Sequence, residues 1–211
     1  MDMKAIRAKF GDDYAADDNT FTMGIDRRFT AHMAQRFKGR RVLETCTGAG
    51  FTTIALARVA EHVTTVEIDP SHQAQARENV ARAGLSDKVD FISGDIQDES
   101  LLRGLPPIKA AFLDPDWAVT GPDHVFRFID SNTRPPADWL IERILRLTAN
   151  AALVLPPILD VRELRGLPEN ERESFYMDGI RELYCLYFGE LIRSLGETEF
   201  HVKKGESLWR K

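Results

Sequence analysis

Arg41–Ala55, RVLETCTGAGFTTIA, decides the fold of this chain. Val42-Leu43 is a short apolar run that reads as a buried strand over Arg41–Thr45, with the acid Glu44 near its end. Gly48 and Gly50 then make a tight turn, and a helical run follows from Phe51, with its regular part at Thr52–Ala60. Glycine lets a ligand approach the backbone where a Cβ would block it. The first turn of a helix offers unpaired N–H groups. In open α/β sheets, ligands sit outside the carboxyl ends of the strands, where this turn falls. The stretch therefore predicts a pocket of nucleotide type.

Downstream the pattern repeats. Strands are expected at His62–Ile68, Lys88–Ile92, Ile108–Leu113 and Ala151–Leu155. Helices are expected at Ser71–Ala83, around Glu99–Arg103, at Ala137–Leu147 and near Leu159–Leu164. An irregular loop carrying Gly121, Pro122, Arg134, Pro135 and Pro136 follows the fourth strand, and its length and composition suggest a functional loop. Two further strands, Glu182–Phe188 and Glu197–Val202, are expected to pair as an antiparallel hairpin. The alternation implies a seven-stranded, mostly parallel sheet with one antiparallel edge strand and helices on both faces. Upstream, Ile25, Phe29, Met33 and Phe37 recur every four residues, predicting an amphipathic helix over Thr22–Phe37 with Asp26 as a cap. Residues 1–20, with Asp12, Asp13, Asp17 and Asp18, read as a polar, mobile or loosely packed arm, leaving 21–211 as a single domain.

The chain has 211 residues, enough for a sizeable core. Its net charge of −5 argues against a broad electrostatic grip on nucleic acid, and there is no DNA-binding signature. Cys46 and Cys185 form no metal-spaced pair, so no metal is expected and a reducing, cytoplasmic setting is the simpler reading. No apolar run approaches the roughly 18 residues that span a membrane. The start, MDMKAIRAKFGDD, has no signal-peptide core.

Two ligands compete for the turn. A dinucleotide pocket wants G-x-G-x-x-G, but Cys46 stands at the first glycine position here and Thr53 at the last. S-adenosylmethionine has no pyrophosphate to cradle and tolerates the loss. It needs an acid near its amino-acid part, glycines against the sulfonium, and acids or polar groups on the ribose hydroxyls and adenine amino edge. Glu44, Gly48 with Gly50, Glu67 and Asp95 stand at successive strand ends in that order. Carboxylates accept hydrogen bonds from hydroxyls and amino groups and favour a nearby sulfonium. Taken singly, Glu67 also reads as a surface acid, Asp95 as a turn cap and Asp69 as a helix cap. The expected donor pocket comprises Glu44, Thr45, Cys46, Gly48, Gly50, Phe51, Thr52, Glu67, Ile68, Asp95, Ile96 and Asp114.

The fourth strand ends in Asp114-Pro115-Asp116-Trp117, where an acceptor should meet the methyl group. An exocyclic amino nitrogen is a poor nucleophile because its lone pair is delocalised into the ring. Hydrogen bonds from its N–H groups to Asp114 and to a turn carbonyl would localise and aim that pair. Trp117 offers a face for a planar base. Asp114, Pro115 and Trp117 are the candidate catalytic residues. The plainer readings are a turn cap for Asp114 and a packing role for Trp117.

These residues resemble the RNA cap guanine-N2 methyltransferase family, the trimethylguanosine-synthase-like branch of class I S-adenosylmethionine-dependent methyltransferases, from about Phe21 to Ile192. Glu44-Thr45-Cys46-Thr47-Gly48-Ala49-Gly50 resembles the family's donor turn, Thr65–Pro70 its ribose-binding strand end, and Phe91–Asp95 its adenine-side motif. Ala149-Asn150-Ala151 through Pro156 is similar to its fifth strand, and Tyr187-Phe188-Gly189-Glu190-Leu191-Ile192 to its Tyr-Phe-Gly-Asp-Leu-Ile ending. Asp114–Trp117, with Gly121-Pro122-Asp123 beyond, corresponds to its Ser-Pro-Pro-Trp, whose tryptophan stacks on the methylated guanine. Asp116 replaces the second proline, Ala118-Val119-Thr120 replaces a glycine pair, and Asp114 is nearer to adenine- or glutamine-type amino methyltransferases. The resemblance implies a Rossmann-like class I fold, S-adenosylmethionine as cofactor with S-adenosylhomocysteine as product, and a purine amino group in RNA or a nucleotide as acceptor. Arg127, Arg134, Arg143 and Lys203-Lys204 are candidate phosphate contacts or a solvated face. Methylation of a small molecule or protein side chain, a non-catalytic donor-binding module and a nicotinamide oxidoreductase are the alternatives. Oligomeric state is not legible.

Overall fold

A computed structural model describes residues 2–117 and 126–204. The expected features at Ala118–Thr120 and Gly121–Asp123 lie outside them. The chain divides into two compact units, Met1–Phe112 and Leu113–Lys211.

The first unit carries α1 (Met3–Phe10), α2 (Asp18–Met23), α3 (Arg27–Ala34), β1 (Arg41–Thr45), α4 (Phe51–Ala57), β2 (His62–Glu67), α5 (Pro70–Arg82), β3 (Val89–Ser93), α6 (Glu99–Gly104) and most of β4 (Ala110–Leu113). Its strands run in the order β3-β2-β1-β4. The β1–β2 and β2–β3 pairs are parallel, with Glu44 beside Thr65 and Glu67 beside Ser93. Val42, Leu43, Val63 and the whole of Ala110–Leu113 are buried, the near-continuous apolar strands that a two-sided core requires. Helix α5 starts where expected: Asp69 accepts the Ser71 and His72 N–H groups, and Pro70 occupies the first turn.

Residues 1–20 are not a loose arm. They form α1 and the first half of α2, and Ile6, Phe10, Tyr14 and Thr20 are buried. Phe10 stacks on Phe51 at 3.5 Å between ring centroids. Asn79, fully buried on α5, accepts the Ala15 N–H at 2.7 Å and donates to Ala15 O at 2.8 Å and Ala49 O at 2.9 Å. One side chain thus ties the N-terminal segment to the glycine turn. The aspartates that suggested a solvated run include Asp17, which caps α2 through a reciprocal bond pair with Thr20. The helix expected over Thr22–Phe37 is broken at Gly24, because a Cβ there would meet Phe51 and Phe10 at 2.7 and 2.8 Å. It restarts at Asp26, the expected cap, which accepts the Arg28 N–H.

The second unit carries α7 (Ala137–Leu145), β5 (Ala151–Leu155), β6 (Asn170–Met177), β7 (Ile180–Phe188) and β8 (Gly196–Val202), with strand order β5-β7-β6-β8. The described residues hold eight strands, one more than expected. The expected hairpin of Glu182–Phe188 with Glu197–Val202 does not form. Strand β7 is antiparallel to both β5 and β6, and β8 pairs with β6 in parallel as the edge strand. The missed strand is β6, whose inward positions include two acids. Glu171 accepts the Arg193 and Ser194 N–H groups and the Thr198 hydroxyl; Glu173 accepts the Tyr187 hydroxyl at 3.0 Å. The real hairpin turns at Asp178-Gly179, both at positive φ, the sequence signature of a two-residue turn. Two of the family-like motifs meet here: a Cβ on Gly189 would lie 2.5 Å from Ala149 O and 2.6 Å from Asn150 Oδ1. Asn150 Oδ1 also accepts the Glu190 N–H at 2.8 Å.

Among the described residues no helix is long and apolar enough to cross a membrane. Neither Cys46 nor Cys185 forms a disulfide. If the N-terminal segment belongs to the cooperative fold, Phe10→Ala will lower unfolding free energy in urea by about 3 kcal/mol. A loss under about 0.5 kcal/mol, the range of ordinary surface substitutions, would return it to a loose arm.

Candidate functional site

The glycine turn is built from backbone that most residues avoid. Cys46, Gly48 and Gly50 all have positive φ, at 61°, 53° and 81°. Gly48 and Gly50 have different jobs. A Cβ at Gly48 would meet nothing within 4 Å, so that position faces open space, as close ligand approach requires. A Cβ at Gly50 would press on Ala76 at 3.0 Å, so that glycine lets α5 pack against the turn. Cys46 takes the left-handed region without glycine's freedom, held by its N–H bond to Val66 O at 2.9 Å.

The strand-end acids hold the turn. Glu67 is buried; its two oxygens accept the Gly48 N–H at 2.8 Å and the Asp69 N–H at 2.9 Å. Each oxygen keeps further acceptor capacity. Glu44 is buried and accepts the Thr53 hydroxyl at 2.6 Å, fastening the first turn of α4 to β1. The Thr47 and Thr65 hydroxyls bond across the β1–β2 ends at 2.5 Å. Thr45 is wholly buried, its hydroxyl unpartnered, and Phe51 and Thr52 are buried on α4. Asp95 is exposed and its carboxylate accepts the Gln97 N–H at 2.8 Å, the turn-cap geometry. Ile68 projects an exposed side chain beyond β2, while Ile96 is buried. Within this unit Glu44, Cys46, Gly48, Gly50, Phe51, Thr52 and Glu67 come together around the turn. The sequence reading missed Thr47, Thr65 and Asn79. Their only signal was position, at strand ends and one face of a helix.

In the second unit, Asp114 and Pro115 follow β4. Pro115 is buried, while Asp114, Asp116 and Trp117 keep part of their surface exposed. Protein crowds the Asp114 carboxyl enough that desolvation, with the negative charge of Asp116 adding to it, raises its pKa to about 7. Asp116 forms an isolated antiparallel bridge with Arg134, both backbone bonds 2.9 Å, and the side chains pair at 3.2 Å. The loop bearing Arg134 is wired in place. Glu163 accepts the Phe128 and Ile129 N–H groups at 2.6 and 3.1 Å, Asn132 accepts the Arg127 N–H, and Asp138 accepts the Ser131 N–H. Glu163, 34 residues from its nearer partner, had no sequence signal.

The profile of the RNA cap guanine-N2 methyltransferases matches residues 39–190. A catechol O-methyltransferase of Niastella koreensis is 29% identical over 152 residues, 69% of this chain and 61% of that protein. The chain thus spans less than two thirds of that relative's length. A candidate methyltransferase from Porphyromonas gingivalis W83 superimposes with a TM-score of 0.73 at 18% identity, over 89% of this chain and 47% of that one. The O-methyltransferase TomG from Streptomyces achromogenes, solved in complex with SAM, gives 0.55 at 19% identity over 88% and 87%. The fold is therefore the Rossmann-like fold of class I methyltransferases, as the sequence predicted, with eight strands in place of seven.

The raised Asp114 pKa has a consequence for stability. Between about pH 4 and 7 the native state holds a proton there that the unfolded chain has released, so stability falls as pH rises across that window. Asp114→Asn will remove that slope and stabilise the protein at pH 8, by at most a few kcal/mol. Urea titrations at pH 5, 6, 7 and 8 check this; parallel wild-type and variant profiles would refute it.

Proposed function

The chain belongs to the RNA cap guanine-N2 methyltransferase family, and from that premise we propose that it methylates an exocyclic amino nitrogen of a purine in RNA or a nucleotide. The observation that carries this reading is Asp114, a crowded carboxyl with its pKa raised to about 7, two residues from Asp116 and three from Trp117.

S-adenosylmethionine is the cofactor and supplies, when bound, an electrophilic methyl group on a sulfonium sulfur. The turn fits it. Gly48 leaves open space above the backbone, the Glu67 oxygens have acceptor capacity for ribose hydroxyls, and Ile68 presents an apolar surface to the adenine side. Asp95 serves the adenine edge, with its exposed carboxylate already oriented by the Gln97 N–H. On the acceptor side the ionised Asp114 accepts an amino N–H, which localises the nitrogen lone pair and aims it. It takes the proton that the nitrogen sheds as the new N–C bond forms. A carboxyl with a pKa near 7 is a better proton acceptor than an ordinary aspartate, and about half of it is ionised at neutral pH. Trp117 stacks on the base, a contribution of about 1–3 kcal/mol in comparable sites. The Tyr187–Ile192 segment supports a reading within the trimethylguanosine-synthase-like branch, although Asp114 and Asp116 depart from that branch's Ser-Pro-Pro-Trp. Two cysteines outside any disulfide accord with action in the cytosol. A second reading, O-methylation of a small aromatic acceptor, is favoured by the similarity to the Niastella enzyme.

A labelled donor offered with total RNA, purine nucleotides and catechol will place label on a purine amino nitrogen. Asp114→Ala will lower transfer by about 100-fold or more with donor binding in calorimetry unchanged. Transfer will rise with pH through about 7 as Asp114 ionises. Label on catechol alone, or undiminished transfer in the variant, would defeat the assignment.

A further inference from the structure

We propose that Arg134 determines specificity for a phosphorylated acceptor, exchanging its side-chain bond with Asp116 for one to the phosphate of the bound nucleotide. The proposal rests on the purine-acceptor reading above and adds to it the group that recognises the rest of the substrate.

Three features carry it. First, Arg134 is anchored by its backbone and free to move by its side chain. Two 2.9 Å backbone bonds hold it opposite Asp116, and Glu163, Asn132 and Asp138 fix the loop on which it stands. Yet its side chain is 69% exposed and reaches Asp116 by one nitrogen only, at 3.2 Å. An exposed ion pair of that kind contributes little net free energy. A guanidinium makes stronger, two-pronged bonds with a phosphate. Exchange therefore costs little and gains more. Second, Arg134 is placed beside the proposed acceptor residue: its backbone pairs with Asp116, two residues beyond Asp114. Third, an unphosphorylated aromatic acceptor offers Arg134 no anion, so the bond to Asp116 stays in place and only a phosphate draws the side chain over. The family's second proline at the Asp116 position has no such charge.

Binding measurements at pH 8, with the donor product S-adenosylhomocysteine present, test this without turnover. The probes are guanosine and adenosine against their 5′-monophosphates, followed by calorimetry. The wild type will bind the monophosphates roughly tenfold more tightly than the nucleosides. Arg134→Gln will lose that advantage and reduce the salt dependence of nucleotide binding by about one unit of slope, while nucleoside binding stays as in the wild type. Arg127→Gln, on the same loop, will keep the advantage. Asp116→Asn will tighten monophosphate binding, because the competing carboxylate is gone, and provides a second arm should Arg134→Gln fold poorly. Equal affinities for nucleoside and monophosphate in the wild type, or an advantage that survives Arg134→Gln, would overturn the phosphate contact. Unchanged monophosphate affinity in Asp116→Asn would overturn the exchange. If none of the four probes bound, the purine-acceptor reading itself would fall, a result distinct from loss of the phosphate preference alone.

Discussion

The buried carboxylate of Glu67 is the constraint on which the donor turn depends. Taking a charged group out of water is costly unless hydrogen bonds replace the lost hydration. Glu67 meets that condition by accepting N–H groups from both sides of the strand end, Gly48 on the turn after β1 and Asp69 at the start of α5. Bonds to a charged acceptor are worth about 1.5–3 kcal/mol each, enough to fix the backbone at Gly48 in the left-handed region. The acid read in the sequence as a ribose ligand thus shapes the glycine turn itself. The two roles are compatible, because a carboxylate accepts more bonds than the two it makes here.

The same physics explains why a third glycine is missing. In a pyrophosphate-binding turn that glycine serves close helix–strand packing. Here Thr53 stands at the position and its hydroxyl bonds Glu44 at 2.6 Å, so helix and strand are joined by a hydrogen bond. Gly50 provides the close approach, toward α5 through Ala76. The departure from the dinucleotide pattern, legible as a missing letter, is a different way of fastening α4 to the sheet.

Legibility followed periodicity and failed where polar groups faced inward. Strands β1 to β5 and the caps Asp26 and Asp69 were readable because their apolar runs and capping residues follow local rules. The N-terminal segment misled because its clustered aspartates read as a solvated run, yet Phe10 and Tyr14 are buried and Asn79 bonds its backbone. Strand β6 misled for a related reason: Glu171 and Glu173 occupy inward positions and are satisfied by partners 14 to 27 residues away. The Asp178-Gly179 turn was the available signal, and it pointed to a hairpin one strand earlier than the one expected.

The sequence by itself determined the fold class and the glycine turn, because each is written in local chemistry: glycines at positive φ and acids at strand ends. Only the tertiary structure decided how those pieces are held. Glu67 bonding Gly48 across 19 residues, Asn79 bonding Ala15 across 64, and Arg134 facing Asp116 across 18 are long-range pairings. No spacing rule anticipates them, because the chain between the partners sets their meeting and local propensity does not.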